Sequence, residues 1–345
     1  MEKDRLFKSL GLVCVILVVS LALALPATSH GKAKFHWRFQ SAFAEADMTY
    51  GQMLEIAKMI EQVSGGQIEV DTFPVGALVG PEELFSSVAD GTIEMGYNMS
   101  MSEAEMMPVT LFLAIHGGPQ NTEEMYDFVH GTDVFKIVQE AYREKGIHLL
   151  SSSGVGQVVL RARKTGVLES WDDFKGAKGW ASPQVIPVLT KLGGVCVEVP
   201  GFDMYSAMKL GSIDWHEWTI AELETLGWKE VTKVVLASPA TQMGVCNTFV
   251  NLKAWEALGT ELQEKIQSTV LANLEDLSRA YDEENKKAIT ASKEYGVQFI
   301  EMSDADKARF TEVCAADWEG LGQTDARCTK AMAILKDWMK KKGRL

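Results

Sequence analysis

The chain predicts a two-lobed α/β fold, each lobe a mixed sheet flanked by helices, with hinge crossings and long C-terminal helices. Three observations carry this. Two separate stretches, 35–97 and 171–228, each alternate short extended segments with short helical ones. The extended segment at 157–162 has the character of a crossing between the two, and strands at 233–236 and 245–251 return the chain to the first, so the lobes are interwoven. Finally, 345 residues are enough for two lobes that share a sizeable core.

In order, Met1 to about Ser29 reads as a leader. Lys3, Arg5 and Lys8 precede an apolar run from Gly11 to Leu25, and Ala27-Thr-Ser29 offers small residues for cleavage. A membrane anchor is the alternative, but the run is short for a span and Pro26 follows it. The mature protein is expected to be free in an exported compartment, with no stable membrane insertion after cleavage. The leader takes three basic and two acidic residues with it, so the net charge moves from −13 to −14. Such an acidic chain suits neither nucleic acid nor anionic lipid.

Phe35 to Phe43 alternates as a first strand, with Phe43 at its far end. Met53, Ile56, Ala57, Ile60 and Val63 space a helix over 50–63, closed by Gly65-Gly66. A strand over 68–73, a helix over 81–90 and a strand over 93–97 complete a β-α-β-α-β half that lacks a Gly-rich phosphate loop. Tyr97 and Asn98 end its third strand and are expected to face a crevice. A helix is expected over 122–145, then a strand over 147–152 that stops at Gly154-Val-Gly156. In the second stretch, a strand is expected at 179–181, a helix at 183–192, a strand at 195–199, a helix ending at Gly211 and an edge strand at 213–218. Strands at 233–236 and 245–251, a helix over 254–296 and a helical tail over 304–341 follow. Domain limits are set at 30–155 plus about 240–275 for the first lobe and 156–239 plus about 276–345 for the second. Trp318, Met332, Leu335 and Trp338 in the tail have two outlets, docking on the parent lobe or forming a homodimer. Cys314 and Cys328 flank Gly320-Leu-Gly322, and either a disulfide or two free buried thiols fits.

Several ordered motifs resemble the DctP-type solute-binding proteins of TRAP (tripartite ATP-independent periplasmic) transporters. They are Lys175-Gly-Ala-Lys178, Leu192-Gly-Gly194, Tyr205-Ser-Ala-Met-Lys-Leu-Gly-Ser-Ile-Asp214 and Glu217-Trp218. Ser64-Gly-Gly-Gln-Ile-Glu-Val70, Phe73-Pro-Val-Gly76, Gly91-Thr-Ile-Glu-Met-Gly96 and Asn251-Leu-Lys-Ala-Trp255 extend the match over nearly the whole mature chain. The resemblance implies a periplasmic binding protein fold, a small organic acid as ligand, a TRAP membrane permease as partner, and no required cofactor.

In many members of that family an Arg on the strand after the Lys-Gly-x-Lys turn forks onto the ligand carboxylate. Here the position is Trp180, whose indole brings one donor and no charge. Arg161 or Arg163 on the crossing segment can supply the missing cation, and alternation does not choose between them. Alternatively, the ligand is zwitterionic or held by neutral donors. A ring in place of Arg favours an aromatic ligand, such as an indole-type oxo acid or tryptophan, walled by Trp180, Trp215, Trp218 and Phe43. By resemblance to the 2-oxo-acid-binding members, Gln157, Glu217 and Trp218 are expected at the site, where they hold a bridging cation, Na or Ca, in some members. Glu217 can instead meet a ligand ammonium. Tyr205 is a weaker wall candidate. No Gly-x-Ser-x-Gly or His-Glu-x-x-His motif occurs, so an exported enzyme would rest on Glu217, Glu222 and His216 alone, without a nucleophile. A non-enzyme is expected.

Overall fold

The computed structural model describes residues 33–200 and 203–345. The expected leader lies outside them. The first lobe opens with β1 (Phe35–Ser41), α1 (Met48–Val63), β2 (Ile68–Phe73), α2 (Leu84–Asp90) and β3 (Met95–Met99). β1 runs parallel to both β2 and β3, so α1 and α2 are the crossovers that parallel pairing requires. Asp47 caps α1 by accepting from the Thr49 amide at 2.7 Å, and the helix buries Tyr50, Met53, Ile56, Ala57 and Ile60.

The helix expected over 122–145 is two, α3 (Thr122–Val129) and α4 (Val134–Glu144). Between them Thr132 donates to the Phe128 carbonyl at 2.6 Å and accepts from the Val134 amide at 3.3 Å, so a side chain competes with the helical ladder. β4 (Ile147–Ala162) then runs unbroken through Gly154-Val-Gly156, with an irregularity in its pairing between Gly154 and Gln157. Its first part pairs with β9, and its far end pairs with β7 and β8.

The second lobe contains β5 (Lys178–Trp180), α5 (Ile186–Lys191), β6 (Val195–Cys196), α6 (Met204–Leu210), β7 (Trp215–Thr219), α7 (Glu222–Thr225) and β8 (Val234–Ser238). β7 is interior, between β4 and β5, rather than the expected edge. Trp215, His216 and Glu217 are all buried, as a strand covered on both faces demands. β9 (Gln242–Asn251) returns the chain to the first lobe, antiparallel to β3 and β4. It is followed by α8 (Leu252–Glu256), α9 (Thr260–Tyr295), β10 (Gln298–Glu301), α10 (Asp304–Gly322) and α11 (Ala326–Lys341).

One ten-stranded sheet results, ordered β2-β1-β3-β9-β4-β7-β5-β6, with β8 beside β4 and β10 beside β8. A large core underlies the first lobe and reaches Trp171, Phe174 and Trp215 in the second. A smaller core, including Val159, Met204, Met208, Leu223 and Trp228, belongs to the second lobe. α9 crosses both lobes. Its buried stripe is apolar from Leu262 to Leu274 and then changes to Ser278, Tyr281 and Asn285. Ser278 donates to the Gly154 carbonyl of β4 at 2.8 Å.

The C-terminal helices cover their apolar faces on the same chain. Trp318 donates to the His116 carbonyl and Trp338 to Asp127, both at 2.9 Å, while Phe310 stacks on Trp171 at 5.7 Å. The residues that the sequence offers to a second copy are therefore already occupied. α11 packs on α4 and on a 3-10 helix over 108–114, so the tail is not confined to the second lobe. Cys314 and Cys328 are free and buried, which corrects the disulfide alternative. The tail expected over 304–341 is two helices, and the break between them falls after Gly320-Leu-Gly322. Among the described residues no helix is long and apolar enough to cross a membrane.

Candidate ligand-binding site

A cleft of about 720 Å³, counting a mouth open to solvent, lies where strand ends of both lobes converge. Phe43 follows β1, while Met99 and Met101 end and follow β3. Trp180 ends β5, and Glu217, Trp218 and Thr219 end β7. Val155 and Val158 of β4 line the cleft at the crossing, and Gln242 opens β9. Asp47 and Thr49 come from the start of α1, Glu222 from α7 and Tyr281 from α9.

Trp180 and Trp218 form one wall, with ring centroids 5.8 Å apart and planes at 43°. Phe43 meets Tyr97 edge-on at 6.2 Å and presents its remaining surface to the cleft. Glu217 is buried and accepts from the Ser182 amide at 2.8 Å and from the Thr241 hydroxyl. Burial pushes its carboxyl above the usual range, against the lowering effect of those bonds. Glu222 accepts from Thr219 and is likewise raised by burial, opposed by Thr219 and by the charge of Arg161. Across the cleft, the Tyr281 and Thr49 hydroxyls bond to each other. Gln242 accepts from the Gln184 amide at 3.1 Å, and its own Nε2 has no partner.

Of the eleven side chains singled out in the sequence, Phe43, Trp180, Glu217 and Trp218 line this cleft. Trp215 does not. It lies two residues deeper on β7, donates to the Ala177 carbonyl at 3.0 Å and packs on Phe174. Arg161 is also a layer down, paired in register with His216, fully buried and without a hydrogen-bond partner on its three guanidinium nitrogens. Burial lowers its pKa to about 10, and it drives the buried His216 further below its normal range, after burial itself. Arg163 leaves the cleft for an ion pair with Asp214 at 3.0 Å.

Gln157 donates to the Gln120 carbonyl at 2.6 Å and is not in the lining. Of the expected cation trio, Glu217 and Trp218 line the cleft and Gln157 does not. Among the described residues no group of three His, Cys, Asp or Glu side chains is arranged to hold a metal ion. Tyr97 bonds to Gln52 inside the first lobe, and Asn98 donates to Glu103 at 3.4 Å. Tyr205 sits on the outer side of α6, donating to Glu230 at 2.8 Å.

Asp47, Thr49, Met99, Met101, Ser182, Gln242 and Tyr281 were not anticipated as lining. Some signal existed. Asp47 precedes the apolar spacing of α1 as an N-cap would, and Ser182 follows Trp180 by two residues.

The family profile described as bacterial extracellular solute-binding protein, family 7 (DctP) matches residues 39–324. The chain belongs to the DctP family. A monocarboxylate 2-oxoacid-binding periplasmic protein of Nostoc is 25% identical over 276 residues, 79% of this chain and 75% of its own. A TRAP periplasmic solute-binding protein from Ochrobactrum anthropi, with its C-terminus bound in the ligand pocket, superposes with TM-score 0.81 at 20% identity, covering 91% of this chain and 97% of that one. A Bordetella bronchiseptica TRAP solute-binding protein, carrying copurified calcium and picolinate, gives TM-score 0.76 at 22% identity, covering 90% and 94%. This DctP-family protein thus has the two-lobed fold of its relatives and is a binding protein, not an enzyme.

Proposed function

We propose that this DctP-family protein is the periplasmic solute-binding subunit of a TRAP transporter, and that it captures a small, ring-bearing organic acid and delivers it to a membrane permease. The observation that carries the reading is the slot walled by Trp180, Trp218 and Phe43, with Met99, Met101 and Val158 around it. Flat apolar walls recognise a flat apolar body, and thioethers adapt to its edge. The acid class is supported by the ligands of the Nostoc and Bordetella proteins, one a monocarboxylate 2-oxo acid and one picolinate, an aromatic carboxylate. Lobe closure then buries the solute, and the closed surface is what the permease meets.

The test is a thermal-shift panel of aromatic oxo acids, aromatic amino acids, short oxo acids and C4-dicarboxylates. A ligand at about a hundred times its dissociation constant stabilises the folded form by roughly 2.7 kcal/mol. Ring-bearing compounds should stabilise the wild type and lose that effect in Trp180→Ala. Stabilisation by dicarboxylates or short oxo acids alone would sink the ring-slot reading.

A further inference from the structure

Three carboxylates line the cleft: Asp47 from the first lobe, Glu217 and Glu222 from the second. Among its described lining residues there is no Lys, Arg or His. Asp47 is near enough that its charge is felt at Glu222. Arg161, one layer behind the lining, offsets Glu222 but does not reach the cleft surface. The carboxylate of an oxo acid would add another negative charge to this set.

Resting on the ring-slot reading above, we infer that the solute carries an ammonium group beside its ring, so that the substrate class is an aromatic amino acid rather than an aromatic 2-oxo acid. An ammonium has three donors for the lone pairs that Glu217 and Glu222 keep after their single bonds from Ser182, Thr241 and Thr219. It is also attracted to the faces of Trp180 and Trp218. The carboxylates' raised proton affinities fit buried anions without a cation at the cleft surface, the partner that such a ligand supplies.

A second, independent observation points to the other end of the molecule. Gln242 borders the cleft at 0% exposure, and its Nε2 is buried with no acceptor. A buried amide donor left unpaired is costly, and a ligand carboxylate would satisfy it. Anion-accepting Gln242 and the cation-accepting acids together describe a zwitterion.

Calorimetric titration of the wild-type protein decides this with tryptophan, indole-3-pyruvate, indole-3-propionate and tryptamine, and with the matching phenylalanine series. The expected result is an amino acid preferred at least about tenfold over the oxo acid and the amine-free acid, the margin of one charge-assisted hydrogen bond. Asp47→Asn, at a partly exposed cap, should narrow that preference, and Gln242→Leu should weaken amino acids while leaving tryptamine unchanged. An oxo acid or amine-free acid bound as tightly as the amino acid overturns the inference but keeps the ring slot. Tryptamine bound more tightly than tryptophan also overturns it, and with it the acid class. If no ring compound binds, both readings fall.

Discussion

Glu103 is a buried acid with a job unrelated to the cleft. At 1% exposure it accepts from the Tyr142 hydroxyl at 3.0 Å, and burial pushes its carboxyl up to about 8. The folded chain therefore holds a proton that the unfolded chain releases near 4.5, so stability falls as pH rises between those values. One such group changes stability by at most about 1.4 kcal/mol per pH unit. His148 works in the opposite sense. Burial against Trp255 lowers it to about 4, against the opposing hydrogen bond with Gln267, so its contribution rises with pH up to 6.5 and is flat above. Between pH 6.5 and 8 the Glu103 slope is unopposed by His148. Urea unfolding across that range should show declining stability, with a shallower slope in Glu103→Gln. An unchanged slope in the variant would rule Glu103 out as its source. At this scale the sequence was only partly informative. Tyr97 and Asn98 end a strand where site residues belong, but Gln52 and Glu103, distant in sequence, draw them inward.

Among elements, β4 shows what local reading misses. Gly154-Val-Gly156 looks like a terminator, yet β9 pairs on both sides of it and the strand continues. Long-range pairing overrides local propensity there. Gly156 remains special: its φ is +89°, and a Cβ built on it would lie 2.8 Å from the Asn285 amide of α9. Gly156→Ala should cost about 1–2 kcal/mol from the backbone alone, measurable by chemical denaturation; a neutral result would mean that the crossing relaxes freely. Most strands and helices were legible because period and turn residues are local. Depth along a strand was not. Strand period places Trp215 and Glu217 on one face of β7, but only the neighbouring strands determine that Glu217 reaches the cleft while Trp215 stays two residues below, about 7 Å away.

In the whole molecule, β4, β9 and α9 join the lobes, and the cleft opens between them. Closure on a ligand is the expected motion. Spin labels at Leu78 and Leu226, exposed on the first and second lobes, should approach each other when a ligand saturates the cleft. An unchanged distance distribution at saturation would argue against hinge capture. α9 contributes something else to such a measurement. It is one uninterrupted helix of 36 residues. Labels at Glu261 and Lys287 on its exposed face are separated by roughly 39 Å along the axis. Because the helix touches both lobes, that spacing stays near its straight-helix value only if α9 moves as a rigid rod, so the same sample would show whether the helix bends where it crosses between them.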